Sequence, residues 1–273
     1  MGSDQRRRWP ADMMGRVSLT LFALWAAYVA VTAAMQRRAD MWPLLAALLA
    51  SVACRLSLRR LFSTSPLFTN TLLSLLSSAL IGFSALRIAW RQVSKQGWTH
   101  QVLMYDAWDG AHVLICCCSG FFAFDLLDLL RSRLHRPQNL LHHGILLICF
   151  NMALLRNVGI NYLVFTLICE VHSSFAHLRS ILRMVGLQQD GSLVVKATWG
   201  LHWMAFLTTR LLLHMIITIK IFWEASKSSL GIEWLLALSG MVGQDILNIM
   251  LGFDLYRAFL KDAYTKRRCE KNA

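Results

Sequence analysis

Apolar residues run along most of this chain in long blocks, and short polar segments separate one block from the next. An α-helix of about 20 apolar residues is long enough to cross the hydrocarbon core of a bilayer. Eight blocks have this character: Val17–Met35, Met41–Cys54, Leu67–Trp90, Ala111–Leu130, Leu140–Leu155, Gly159–Leu182, Leu193–Trp223 and Ile232–Tyr256. The pattern predicts an all-α fold, a polytopic bundle of transmembrane helices.

Two of these blocks depart from the usual length. Met41–Cys54 is short, so it is either a half-inserted helix or one that reaches Leu58 while Arg55 snorkels to the membrane surface. Leu193–Trp223 is too long for one straight span, and we expect it to tilt or to extend beyond the bilayer.

The first block has two interpretations. The basic run Arg6–Arg8, the apolar residues after it and the small residues Thr32–Ala34 resemble a secretory signal peptide. The apolar run is long for that role, and the charge distribution is consistent with its retention. We therefore expect Val17–Met35 to be an extra N-terminal helix.

Basic residues are unevenly distributed between the two sides of the predicted bundle. The formal net charge is +13, and 18 of the 28 Lys and Arg fall on the side that holds both termini, against 7 on the other. Cytosolic loops of membrane proteins carry such an excess. We therefore predict cytosolic termini and attraction to anionic lipid headgroups. The same distribution argues against nucleic acid as a partner.

The seven cysteines form no recognisable disulfide framework and match no zinc-binding spacing. Six of them lie in apolar blocks, where cysteine usually packs as a small hydrophobic residue. We expect no metal and no cofactor, with acyl-CoA as the one candidate co-substrate.

Polar residues recur at helical spacing on five of the predicted spans, and His142-His143 opens another. Ionisable groups inside a bilayer are costly and usually face a bundle interior or a substrate path. The sets are Asn70, Ser74, Ser77 and Ser78; Asp125 and Asp128; Glu170, Ser173, Ser174 and His177; His202, Arg210 and His214; and Gln244 or Asp245 with Asn248 and Gly252. They predict a shared polar cavity. The alternative is that they only join helices, with Glu170 paired to Arg210 and Asp245 to His202.

Histidine suits proton transfer because its pKa lies near neutrality. The catalytic candidates are His142 and His143, with Glu170 or Asp125 orienting the ring that acts as the base. Adjacent helical positions differ by about 100°, so the two rings are expected to face different directions. A metal at this doublet lacks a third ligand at a recognisable spacing. The candidate substrate-binding residues are Arg210, which suits a phosphate, and Asn70, Asp245, His177 and His202.

Several of these residues stand in motifs that resemble the TLC-domain family. The stretches are Leu140–Gly144, Glu170–Ser174 followed by His177–Arg179, Asn70–Ser74 with Ser78 and Gly82, Gly120–Phe122 with Asp125 and Asp128, Phe206–Arg210 and Asp245–Asn248. Their order and spacing are similar to the family's across roughly Leu44 to Tyr256. The His-Leu-Arg after Glu170 is closest to the branch of TLC domain-containing proteins 1 and 2.

The resemblance implies a six-helix core plus one or two N-terminal helices. It gives residues 1–40 as a basic N-terminus with an extra helix, 41–260 as the TLC-type transmembrane domain and 261–273 as a basic cytosolic tail. It also implies lipid homeostasis: control of phospholipid acyl composition and membrane fluidity through a cavity that binds a phospholipid or a fatty-acyl chain. The fold alone does not define a reaction.

Two other functions stay open. One is an acyl-CoA-dependent acyltransferase, acting on lysophospholipid or resembling ceramide synthase, although the second His-Asp pair of ceramide synthases is absent here. The other is a non-catalytic channel regulator or cargo escort with an unknown protein partner. The final residues lack a dilysine retrieval signal, which favours the plasma membrane over the endoplasmic reticulum.

Overall fold

A computed structural model describes residues 39–62, 65–132, 137–187, 193–225 and 232–272. These residues form helices and no strand. After a 3-10 turn at Ala39–Met41, the helices are α1 (Trp42–Phe62), α2 (Pro66–Gln96), α3 (His100–Tyr105), α4 (Ala111–Ser132), α5 (Pro137–Arg156), α6 (Ile160–Leu167), α7 (Glu170–Met184), α8 (Leu193–Ala205), a π-helical segment (Phe206–Leu212), α9 (Leu213–Ala225) and α10 (Ile232–Asn272). The predicted helix Val17–Met35 lies outside the described residues.

The helical and polytopic character predicted from the sequence is confirmed. Four described helices are long and apolar enough to cross a membrane: Pro66–Gln96, Ala111–Leu130, Leu193–Glu224 and Trp234–Lys261. The helix Leu140–Arg156 is apolar but shorter. The protein is therefore an integral membrane protein.

Close helix contacts are made where glycine removes a side chain from the interface. A Cβ atom on Gly82 of α2 would lie 2.6 Å from the backbone nitrogen of Val171 on α7. A Cβ on Gly120 of α4 would collide with the carbonyl oxygen of Leu44 on α1. Small residues allow such backbone approach between membrane helices. These two contacts fix α7 against α2 and α4 against α1.

The predicted limits of α1 and the snorkelling of Arg55 are wrong. The helix continues to Phe62, and Arg55 is buried in an ion pair with Asp128 and a hydrogen bond to Asn70 Oδ1 at 3.3 Å. Asp128 is likewise buried. The two opposite charges compensate each other inside the bundle, which removes the need for either to reach water.

The predicted single helix over Gly159–Leu182 is divided at Ile168 and Cys169. The backbone there turns through tighter bonds, from Ile168 N to Phe165 O and from Cys169 N to Thr166 O. The carbonyl of Thr166 also lies 3.1 Å from Nε2 of His214 on α9. This break places Glu170 in the first turn of α7, at the middle of the bundle.

The seventh apolar block, Leu193–Trp223, forms one uninterrupted helical segment, and its centre, Phe206–Leu212, is π-helical. Segments of this kind shift the rotational register of a helix and often occur at functional sites. Here the register places Arg210 and His214, four residues apart, in the buried interior.

The connection between α2 and α4 contains the short helix α3. Asn161 on α6 holds it: Oδ1 accepts from the backbone nitrogen of Trp108 at 2.9 Å, and Nδ2 donates to the carbonyls of Val102, at 2.7 Å, and Asp106. This clamp seats Met104 above the interior cavity described below.

Candidate functional site

A polar chamber of about 270 Å³ lies where five helices and the π-helical segment meet. Its polar lining comprises Asn70, Thr71, Ser74 and Ser78 from α2, Asp125 from α4, His142 and His143 from α5, Glu170, His172, Ser173 and His177 from α7, Arg210, and Asn248 and Asp254 from α10. The structure thus brings together seven of the nine candidate residues: His142, His143, Glu170, Asp125, Arg210, Asn70 and His177.

Glu170 is the acidic centre of this chamber and is buried. Its Oε2 accepts a 2.7 Å hydrogen bond from the hydroxyl of Ser78, and its Oε1 lies 3.7 Å from the guanidinium of Arg210. The pairing of Glu170 with Arg210 that the sequence allowed is therefore present. Because the pair lines a cavity, its polar atoms are placed where a ligand can reach them.

The two histidines of the doublet contact different helices, as the 100° offset requires. Nδ1 of His143 lies 3.4 Å from Oδ2 of Asp125 on α4, without the alignment of a hydrogen bond. Nδ1 of His142 lies 2.6 Å from Oε1 of Gln244 on α10. Both rings nevertheless line the polar chamber, with centroids 5.5 Å apart.

Arg210 is held by a network that leaves its guanidinium beside the chamber. It donates to Ser173 Oγ at 2.8 Å and to Asn248 Oδ1 at 3.3 Å, while Nδ2 of Asn248 donates to the carbonyl of Arg210 at 3.0 Å. Nε of Arg210 has no hydrogen-bond partner among the described residues. The guanidinium thus keeps one donor that the described side chains do not use.

An apolar chamber of about 100 Å³ adjoins the polar one. The two share His142 and Glu170 in their linings. The apolar lining includes Ile145, Leu146, Ile148, Cys149, Met152 and Ala153 from α5 and Ala237, Gly240 and Met241 from α10, and its far end holds Arg156, Tyr162 and His100. His100 Nδ1 and the hydroxyl of Tyr162 are 2.8 Å apart there. The two chambers therefore border each other at His142 and Glu170, with a polar lining on one side and a mostly apolar lining on the other.

Two candidate residues do not line the polar chamber. Asp245 accepts a 2.7 Å hydrogen bond from the hydroxyl of Thr218 on α9, because Gln244, the preceding residue, is the one turned inward. His202 lies behind His172, with their Nε2 atoms 2.8 Å apart. The pairing of Asp245 with His202 allowed by the sequence is thus replaced by these two contacts.

Three residues of the site were not named from the sequence as catalytic or substrate-binding candidates, although His214 and Gln244 stood in the polar sets. His172 lines the polar chamber, Gln244 contacts His142, and His214 joins Thr166 to Asn248 through its two ring nitrogens, at 3.1 and 3.0 Å. The spacing of four between Arg210 and His214 was a usable signal. The choice between Gln244 and Asp245 depends on helix rotation, which the sequence pattern did not fix.

Residues 67–257 match the TLC domain family, which is most of the chain. TLC domain-containing protein 2 of Danio rerio is 32% identical over 82 residues, which cover 29% of this chain and 33% of that protein. The chain thus spans about a third of the length of this relative. No solved structure matches. The matched region begins in α2 and ends in α10, so it contains all of the polar chamber. The chain belongs to the TLC domain family, whose members are typically membrane proteins of lipid metabolism and homeostasis.

Proposed function

We propose that this protein acts in lipid homeostasis by holding a fatty-acyl chain or a phospholipid in its interior, and so regulates phospholipid acyl composition and membrane fluidity. One observation carries the proposal: a polar and an apolar chamber meet at His142 and Glu170. An amphiphile fits this division, because its tail takes the apolar part and its polar group the histidines, Arg210 and Asn248.

The dimensions of the apolar chamber suit a single chain. Its lining on α5 runs from His142 to Arg156, and 14 helical rises of about 1.5 Å give a length of roughly 21 Å. Extended covalent chains advance about 1.2 Å per bond, so roughly 16 to 18 carbons span this length.

Lipid analysis of cells that lack the protein tests this function, with rescue by wild type or by Gly240→Leu. A side chain on Gly240 would enter the apolar chamber beside Cys149, whose sulfur lies 2.7 Å from the added Cβ. Gly144→Leu on α5 is the matched control, because nothing lies within 4 Å of its Cβ position. We expect wild type and the control to restore the phospholipid acyl profile and Gly240→Leu to fail. An acyl profile unchanged by deletion would remove the proposal.

The second candidate function is an acyltransferase that uses the same interior. The contact of His143 with Asp125 supports it, because a histidine beside a carboxylate is suited to general-base catalysis. The base would take the proton of a lysolipid hydroxyl while the oxygen attacks the carbonyl of an acyl-CoA. The carbon–sulfur bond then breaks, and the proton passes to the leaving thiolate. Arg210 would hold the lysolipid phosphate.

Purified protein in nanodiscs with acyl-CoA and lysophospholipid tests this candidate. We expect a diacyl product that depends on His142 and His143. Product formation no greater than that of the double variant His142→Ala/His143→Ala would exclude the acyltransferase and leave lipid binding intact.

We further propose that both termini are cytosolic and that the protein lies in the plasma membrane. The charge distribution supports this orientation. Tagged termini that stain only after permeabilisation, at the cell surface, are the expected result. Staining of a terminus on intact cells would show that this terminus is extracellular and contradict the proposed orientation.

A further inference from the structure

Gln244 contacts both the ring and the backbone carbonyl of His142. Its Oε1 lies 2.6 Å from Nδ1 of the ring, and its Nε2 lies 3.4 Å from the carbonyl oxygen of the same histidine. The carbonyl oxygen only accepts hydrogen bonds. The amide nitrogen must therefore face that carbonyl, since the opposite orientation would bring two oxygens together. The oxygen of Gln244 is left for the ring.

This orientation determines the tautomer of the ring. An amide oxygen only accepts, so Nδ1 of His142 must carry the hydrogen of the 2.6 Å contact. In a neutral imidazole the other nitrogen then has a free lone pair. Within the described residues, Nε2 of His142 has no hydrogen-bond partner, and the ring lies at the boundary of the two chambers.

His172 and His143 also line the polar chamber, and their ring nitrogens differ from those of His142. Nε2 of His172 contacts Nε2 of His202, and Nδ1 of His172 is buried without a partner among the described residues. Nδ1 of His143 is also buried and unaligned with Asp125. Of these three rings, His142 is the one whose tautomer is set by a partner that can only accept at Nδ1, and it lines both chambers.

We propose that Gln244 is a positioning residue that holds His142 as the Nδ1–H tautomer, with the Nε2 lone pair available to a ligand at the boundary of the two chambers. The ligand class is one with a hydroxyl or other protic donor beside an acyl chain. This inference rests on the proposed function for its ligand, but the tautomer itself does not depend on any activity.

Two variants separate hydrogen bonding from packing. Gln244→Glu, as the neutral acid, keeps an acceptor for Nδ1 and a donor for the carbonyl of His142, whereas Gln244→Met keeps a similar volume and removes both. The thermal unfolding of both variants in one detergent shows whether each is folded. His142→Ala identifies the resonances that belong to this ring.

The measurement is ¹⁵N nuclear magnetic resonance of protein labelled at histidine and held in nanodiscs. We expect His142 to give a protonated Nδ1 and an unprotonated Nε2 in wild type and Gln244→Glu, and a tautomer mixture in Gln244→Met. An Nε2–H tautomer in wild type, or no change in a folded Gln244→Met, would overturn the proposal.

A second readout concerns the ligand. A fatty alcohol in the nanodisc should shift the Nε2 resonance of His142 in wild type and Gln244→Glu and shift it less in Gln244→Met. A correct tautomer with no response to the alcohol would contradict the ligand part of the proposal and count against the proposed function. An Nε2–H tautomer together with a clear response to the alcohol would contradict the role of Gln244 and leave the proposed function standing.

Discussion

Ser78 and Glu170 lie 92 residues apart in the chain, and the hydroxyl of Ser78 donates to Oε2 of Glu170 at 2.7 Å. Both side chains are buried, and both line the polar chamber. The bond joins α2 to α7 directly at the site. It explains how a carboxylate at the start of α7 is held in a fixed position within a largely apolar bundle.

Loss of the Ser78 hydroxyl should destabilise the protein. Ser78→Ala leaves one oxygen of Glu170 without its donor, and a buried unsatisfied polar group costs about 1–3 kcal/mol. Thermal unfolding of purified protein in one detergent measures the loss. Ser94→Ala is the control, because Ser94 on the same helix is exposed and bonds only its own helix, at Trp90 O. Equal effects of the two substitutions would contradict this account.

The contact of α2 with α7 depends on Gly82. Gly82→Val introduces a Cβ at 2.6 Å from the backbone of Val171, and backbone at that distance can give way only by separation of the helices. We expect a loss of folded protein, measured as the monodisperse fraction after detergent extraction. Gly144→Ala should leave that fraction unchanged or raise it, because its Cβ position is open and alanine favours the helix by about 0.5–1 kcal/mol. Tolerance of valine at position 82 would contradict the described crossing of α2 and α7.

His172 and His202 should be energetically coupled. Their Nε2 atoms are 2.8 Å apart and their ring centroids 4.6 Å apart, so replacing either ring with phenylalanine removes the partner of the other nitrogen. Each single variant is expected to be less stable than wild type. The loss of unfolding free energy in the double variant should be smaller than the sum of the two single losses, by about 1 kcal/mol or more. A double-mutant cycle on unfolding free energies measures this coupling, and additive losses would show that the pair does not interact.

Replacing Asn161 should loosen the connection between α2 and α4 more than replacing Asn151, another buried asparagine, does. Asn161→Leu removes the hydrogen bonds that the Asn161 side chain makes to the backbone nitrogen of Trp108 and to the carbonyl of Val102. We expect faster protease cleavage between α2 and α4. Asn151→Leu is the control, since Asn151 bonds only Leu147 O of its own helix and its Oδ1 has no partner among the described residues. Equal cleavage rates in both variants would contradict the clamp.

Helical spacing identified most of the site because the side chains of a stripe face one direction along a helix. Glu170, Ser173 and His177 are spaced three and four apart, and all three line the polar chamber. The doublet at His142 and His143 was equally informative, because two adjacent ionisable side chains are unusual in an apolar block. These features depend on local periodicity, which the sequence carries directly.

Other features depended on contacts between distant segments. The burial of Arg55 follows from Asp128, 73 positions later, and the inward turn of Gln244 in place of Asp245 follows from the rotation of α10. The break before α7 and the π-helical segment of Phe206–Leu212 have no proline to mark them. Hydropathy averages over such local changes, so the chain pattern gave continuous helices at both places.

The central claim is that one acyl chain occupies the apolar chamber with its polar group at His142 and Glu170. Photo-crosslinking with a fatty acid that carries a diazirine near its methyl end, followed by peptide mapping, tests it directly. We predict crosslinks to chamber residues such as Cys149, Met152 and Met241, reduced in Gly240→Leu and retained in Gly144→Leu. Crosslinks confined to outward-facing residues such as Leu80 and Phe253, with no effect of Gly240→Leu, would contradict it.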